Sequence, residues 1–261
     1  MAAANKVNLE IFTPALIFSV LAGKDFQLAV YVDLALAGAI VVLGSGLIAW
    51  PVARLAGWPV RVFVPPMMFT NSGNMGLPLA LLAFGEKALP AAMILFLVEN
   101  TLHFTVGNAM LEGRVHPLVL LRMPMLQATF AGLIVAVFDI SVWSPLGVAL
   151  DLLGQVAIPL MLFALGVRMT NISLKDWRIG LVAAVVCPLS GLVMAVFAGM
   201  LLNLQGQQWN LLLVFGILPP AVLNYMLAER FDAAPDVVAS IVLLGNLASI
   251  ITISLMLAYL L

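Results

Sequence analysis

Residues 64–79 read VPPMMFTNSGNMGLPL, and residues 218–231 read LPPAVLNYMLAERF. Each sets a double proline inside a hydrophobic run, Pro65 and Pro66 in one and Pro219 and Pro220 in the other, and follows it with an asparagine, Asn71 or Asn224. Proline removes a backbone donor and clashes with the preceding helical turn. At bilayer depth the groups this frees are tolerated only where they face protein or a water-filled cavity. One such break alone reads equally well as a packing kink. Two in corresponding places of two halves point to a binding site built from interrupted helices.

The chain around these runs is a polytopic membrane protein by composition. Of its 261 residues 64% are hydrophobic and only 9% charged, and its mean hydropathy is +1.17, more apolar surface than a soluble fold of this length can hide. Between the charge clusters lie nine candidate all-α spans, at 8–23, 27–53, 62–85, 88–111, 123–140, 144–167, 179–203, 209–228 and 236–261, close to the roughly 17–25 residues a crossing needs. With the N-terminus in the cytoplasm, the inner side receives Lys6, Arg54, Arg61, Arg114, Arg122, Arg168, Lys175, Arg178 and Arg230, and the outer side only Lys24 and Lys87. That bias is the one cytoplasmic loops carry. It predicts a multi-pass protein of the inner (plasma) membrane with its C-terminus outside. All five tryptophans, Trp50, Trp58, Trp143, Trp177 and Trp209, fall near span ends, where aromatic anchors belong.

A net charge of -1 and a thin scatter of basic residues give no footprint for nucleic acid. The single cysteine, Cys187, supplies neither a disulfide framework nor a thiolate metal site, and no other metal or cofactor motif is present. Cys187 reads as a packing residue. The N-terminal MAAANKVN lacks a secretory signal pattern, and the apolar stretch behind it reads as a true span. No HExxH, paired intramembrane aspartates or Ser/His couple in a known motif suggests an enzyme.

The halves also resemble each other. TPALIFSVLAGKDF (13–26) aligns with IPLMLFALGVRMTN (158–171), Pro14 over Pro159 and Phe18 over Phe163, and the double prolines follow in the same order. By the charge count, matching spans run in opposite directions, the signature of inverted repeats. The first repeat occupies 1–111 and the second 123–261. The second opens with a span, 123–140, that has no mate in the first, so one helix of a five-plus-five arrangement is missing.

The NSGNMGLPL run, the TPALIFSVLA opening and LPPAVLNYMLAER together resemble the auxin efflux carrier family, which includes bacterial malate and malonate permeases and plant auxin carriers. The resemblance implies two inverted five-helix repeats, the fourth helix of each broken, with the breaks crossing at the midplane. It implies elevator-type transport of small organic anions, carboxylates such as malate, malonate or auxin-like acids, by a homodimer in the lipid bilayer. Carried over by position, the crossovers fall at Thr70–Met75 and Pro219–Asn224, with Thr70 where the plant carriers have a proline. Spans 27–111 and 179–261 become the moving unit, and 8–23 with 123–167 the scaffold. Two rival readings stand beside this one: a sodium-coupled carboxylate symporter of the bile-acid type, and a non-transporting fragment.

The candidate substrate-binding residues are Asn71, Ser72, Gly73, Asn74, Gly76, Pro219, Pro220 and Asn224. A helix restarting near Leu77 with Pro78 at its first turn costs no hydrogen bond, Ser72 or Asn74 can cap it, and its positive end attracts an anion. A second half-helix starting at Pro220 adds another positive end. Gly73 and Gly76 leave room for close backbone approach to a ligand. Asn71 and Asn224 either bind substrate or satisfy carbonyls at the breaks. Glu99 and His103, one turn apart in 88–111, are either a proton or cation site or a mutually satisfied pair that locks packing. Asn100 and Asn246 either support the breaks or make ordinary interhelical hydrogen bonds. Asp33, Asp151 and Glu10 are assigned no role.

Overall fold

The computed structural model describes residues 6–23, 28–113, 123–168 and 176–261. Among them the regular structure is helical: α1 (Asn8–Leu21), α2 (Ala29–Leu55), α3 (Val60–Met68), α4 (Ser72–Phe84), α5 (Glu86–Glu112), α6 (Pro124–Val137), α7 (Ser144–Arg168), α8 (Trp177–Leu201), α9 (Gly206–Gly216), α10 (Val222–Arg230) and α11 (Pro235–Leu260). Five of these, α2, α5, α8, α11 and the Ser144–Phe163 part of α7, are long and apolar enough to cross a bilayer. The other expected spans are made of shorter pieces. The 14 residues of α6 rise about 21 Å, less than the roughly 30 Å hydrocarbon core. Spans 62–85 and 209–228 each consist of two helices, α3 with α4 and α9 with α10. Lys24, Arg114, Arg122 and Lys175, part of the charge count above, lie outside the described residues.

The prolines lie at both interruptions but end the helix directly only at the second. Pro65 and Pro66 cannot donate to the preceding turn, yet α3 persists to Met68 because the Phe69 N–H still reaches the Pro65 carbonyl at 2.9 Å. Phe69 then turns extended, φ -104° and ψ 103°. In the second run α9 ends at Gly216, two donor-less prolines follow, and Ala221 is extended at φ -66°, ψ 142° before α10 begins.

Packing sorts the helices into two groups. α8 lies against α2, α9 and α11, while α2 also packs on α3 and α5, and α10 on α11. α1 packs on α6 and α7. The groups meet where α7 touches α4 and α1 touches α5. Without a hydrophobic drive between helices in lipid, close backbone approach at small residues supplies the packing. Gly191 of α8 presses on the carbonyl of Gly216 in α9, leaving no space for a side chain, and a Cβ at Gly154 of α7 would lie 2.8 Å from the Leu16 Cα of α1. Outward-facing positions such as Leu47, Leu152 and Ile250 are exposed and apolar, as lipid contact requires. Arg54 sits over the Trp50 ring near the end of α2, and Arg178 over Trp177 at the start of α8.

Candidate functional site

The two interruptions pair with each other. Thr70 and Pro220 face one another in an antiparallel bridge. It is closed by Asn71 N–H to the Pro219 carbonyl at 2.7 Å and Ala221 N–H to the Phe69 carbonyl at 3.0 Å. In this geometry the directly opposed residues need no bond of their own, so Pro220 lacks an N–H exactly where none is used. Because the bridge is antiparallel, α4 and α10 leave it in opposite directions. The Asn224 Nδ2 donates to the Phe69 carbonyl at 2.8 Å and to that of Ala221 at 3.0 Å. The Asn246 Nδ2 reaches the Pro220 carbonyl at 3.0 Å, and its Oδ1 accepts from Asn71 Nδ2 at 3.3 Å. The Cys187 thiol leans on the carbonyls of Pro66 and Leu218, one at each interruption.

Beside the bridge lies a cavity of about 230 Å³, lined by the first turns of α4 and α10, by α5, and across from them by α1, α6 and α7. In an α-helix the first N–H groups have no internal acceptor. Those of Ser72, Gly73 and Asn74 in α4, and of Val222 and Leu223 in α10, belong to residues that line this cavity. Neither helix start has a side-chain cap. All three π-helical turns among the described residues, Asn8–Phe12, Ser72–Gly76 and His103–Gly107, border the same cavity, and such turns concentrate at functional sites. Among the described residues its lining includes Glu10, Glu99 and His103 and no lysine or arginine.

Four sequence candidates, Asn71, Ser72, Gly73 and Asn74, line the cavity, as do Glu99, Asn100 and His103. Gly76, Pro219, Pro220, Asn224 and Asn246 are not in its lining. Pro65 and Pro66 lie within α3, and Pro78 in the first turn of the α-helical part of α4. Helix resumes at Ser72 and not at Leu77, because a π-turn carries Met75 and Gly76 N–H groups back to the Asn71 carbonyl at 3.0 Å. The N-cap is therefore Asn71, and Ser72 and Asn74 are first-turn residues. Likewise α10 starts at Val222, and Pro220 belongs to the bridge. Gly76 packs on a protein group: a Cβ there would meet the Leu218 side chain at 3.0 Å.

Glu99 and His103 do not pair with each other. Glu99 is 2% exposed, its Oε2 accepts from the Thr70 hydroxyl at 3.2 Å, and the Ser72 hydroxyl faces the same carboxylate. The His103 ring stacks on Phe69, centroids 4.1 Å apart and planes 6° off parallel. Asn100 donates to the Phe96 carbonyl of its own helix at 2.9 Å. Among the described residues no three His, Cys, Asp or Glu side chains gather to hold a metal ion.

A family model described as membrane transport protein matches residues 113–257, more than half of the chain. The chain belongs to that family, the auxin efflux carriers. Among similar members, a protein of Rhizobium meliloti (strain 1021) provisionally named a malonate transporter is 30% identical over 71% of this chain and 62% of its own length. The chain thus spans less than two thirds of that relative. An uncharacterised transporter of Methanothermobacter thermautotrophicus is 28% identical over 96% of this chain and 86% of its own. Another from Methanocaldococcus jannaschii is 25% identical over 72% and 64%.

In this carrier-family protein the cavity also recruits residues that sequence reading passed over. Asn8 and Thr13 of α1 are buried and line it, and neither Asn8 Oδ1 nor Thr13 Oγ1 has a hydrogen-bond partner. Buried polar atoms are normally satisfied, so these two leave hydrogen-bonding capacity unused in the cavity wall. The available signal was their position: both are polar residues in the first apolar span, five apart. Met123, Met125 and Met161 complete that wall with adaptable thioether surface.

Proposed function

We propose that the protein is a permease for small organic anions, with malonate and malate as the leading substrates. Its spans form two inverted repeats, and α3/α4 crosses α9/α10 at the membrane midplane. The unit of α2–α5 and α8–α11 carries the substrate past a scaffold of α1, α6 and α7 in an elevator motion. It sits in the plasma membrane with the N-terminus inside, as a homodimer held by the scaffold.

One observation carries the substrate class: two uncapped helix starts open onto one cavity, whose described lining residues include no basic side chain. A carboxylate near a helix N-terminus is stabilised by about 0.3–1 kcal/mol, and by up to ~2 kcal/mol in partly buried geometry. Two converging termini therefore select an anion without help from a basic side chain among the described residues. The volume of about 230 Å³ is below the roughly 300–1,000 Å³ of pockets for drug-sized ligands, which favours a short-chain acid over a bulky one. The grouping of helix contacts and the name of the Rhizobium relative agree with this reading.

The test is uptake of labelled malonate, malate and indole acetate into proteoliposomes, with Asn74→Asp as the comparison. A carboxylate in the first turn favours the helix itself while occupying the charge preference meant for the substrate. Saturable uptake of at least one acid, reduced about tenfold or more (1.4 kcal/mol per tenfold) in Asn74→Asp at unchanged expression, is expected. Undiminished uptake in the variant refutes the placement of the anion site.

A further inference from the structure

The cavity proposed to bind an anion already contains an acid. Glu99 is buried on α5 and lines the same cavity as Ser72, Gly73 and Asn74, and its partners are the Thr70 hydroxyl at 3.2 Å, the Thr70 backbone N–H and the Ser72 hydroxyl. Among the described residues the titratable groups around it supply no cation. His103, one turn along α5, is stacked on Phe69; Cys187 of α8 lies close by with its thiol turned to the Pro66 and Leu218 carbonyls; Glu10 of α1, across the cavity, is acidic and exposed. The α10 wall contributes Ala221, Val222, Leu223 and Met226, and the α6 and α7 walls Pro124 and methionines. A substrate carboxylate entering this space meets a like charge in surroundings of low dielectric, where repulsion is far stronger than in water.

We propose that Glu99 takes up one proton with each substrate anion, which makes the carrier a proton–anion symporter. The inference rests on the permease reading above. A proton from the loading side binds a Glu99 oxygen and removes its charge before or as the anion reaches the helix starts. No covalent bond to substrate is made, and the proton leaves to the opposite side with the anion. Protonation also changes the hydrogen bonding. An ionised carboxylate only accepts, holding the Thr70 and Ser72 hydroxyls as donors; a protonated one donates once itself and frees the Ser72 hydroxyl, at the N-terminus of α4, to turn to the substrate. Thr70 lies in the bridge and Ser72 opens α4, so the state of Glu99 is felt at the anion site directly.

The experiment compares the full chain with Glu99→Gln, which keeps the shape and hydrogen-bonding capacity of the protonated acid. Both are reconstituted into vesicles with the membrane potential clamped at zero, and protein-free vesicles are subtracted. Counterflow, labelled malonate outside against unlabelled malonate inside at equal pH, reports binding and translocation without coupling. A gradient of one pH unit, acid outside, reports coupling: one proton per anion sustains about a tenfold accumulation, the ratio equivalent to 1.4 kcal/mol. Wild type is expected to show both activities, and Glu99→Gln to keep counterflow while its accumulation falls to a ratio of about one.

Accumulation in Glu99→Gln equal to wild type means the proton travels elsewhere and overturns the proposal. Wild-type counterflow with no response to the pH gradient, or with a response only to sodium, overturns it while leaving the permease standing. No counterflow of malonate, malate or indole acetate by wild type removes both readings. Should Glu99→Gln fail to reconstitute, Glu99→Asp takes its place: it keeps an ionisable group, and retained accumulation with a displaced pH profile is the expected result, an unaltered profile the contrary one.

Discussion

Asparagines at this site divide by what their amides already hold. Asn246 is 3% exposed and spends its side chain on the bridge, donating to Pro220 and accepting from Asn71. Asn100 makes a bond within its own helix and faces the cavity. Replacing Asn246 by alanine leaves the Pro220 carbonyl and the Asn71 amide without that partner, a cost of about 1–3 kcal/mol per stranded group. A melting temperature lowered by roughly 4–24 °C follows from two such groups at 2–4 °C per kcal/mol for a chain of this size. Asn100→Ala is expected to melt close to wild type and to raise the half-saturating substrate concentration instead. Thermal unfolding in detergent and concentration-dependent uptake separate the two, and an Asn246→Ala protein as stable as wild type would remove Asn246 from its bracing role. In the sequence these residues looked alike, because each is a lone amide in an apolar span. What distinguishes them is which backbone groups the interruptions leave open, and that depends on the far half of the chain.

Breaks and starts of helices were legible to different degrees. The double prolines locate both interruptions to within a few residues, since donor loss acts locally. The restart of α4 at Ser72 was not legible, because a π-turn stabilised by the Asn71 carbonyl takes the place of the expected cap, and nothing in NSGNMG distinguishes a wide turn from an α-turn. Gly76 shows the same limit. Its lack of a side chain was read as room for a ligand, whereas the neighbour it accommodates is Leu218, from the segment preceding Pro219. A valine at 76 adds two methyl groups to a Cβ already at 3.0 Å from that side chain, and overpacking of this kind costs typically 1–3 kcal/mol. Gly76→Val is therefore expected to separate α4 from the Leu218 segment and abolish uptake. The cause is testable by reversal: Leu218→Ala in the same protein restores part of the uptake if the contact is responsible, and restores none if Gly76 touches substrate.

At the scale of the molecule, hydropathy identified a membrane protein at once, because burying so much apolar surface has no soluble solution. It could not show that α1 and α6 are short, nor that they share a wall of the cavity with α7, since those facts come from tertiary packing. That wall matters for mechanism. The cavity lies between the two packing groups and not within either one, with Asn74 on the α4 side and Met161 on the α7 side. An elevator needs these surfaces to slide past each other, whereas a carrier that merely opens a gate can keep them fixed. With Cys187 replaced by alanine and cysteines placed at 74 and 161, a reducible bifunctional thiol reagent spanning the cavity joins the groups. On the sliding mechanism uptake falls to the level of protein-free vesicles and returns when the reagent is cleaved, while each single-cysteine protein treated alike retains uptake above that level. Both single variants placing a reagent in the cavity guard against simple blockage, because a plugged site fails with one cysteine as well as with two. Full uptake by the joined protein would show that the α4 and α7 faces move as one body, and alternating access would then have to arise within the α2–α5 and α8–α11 group itself.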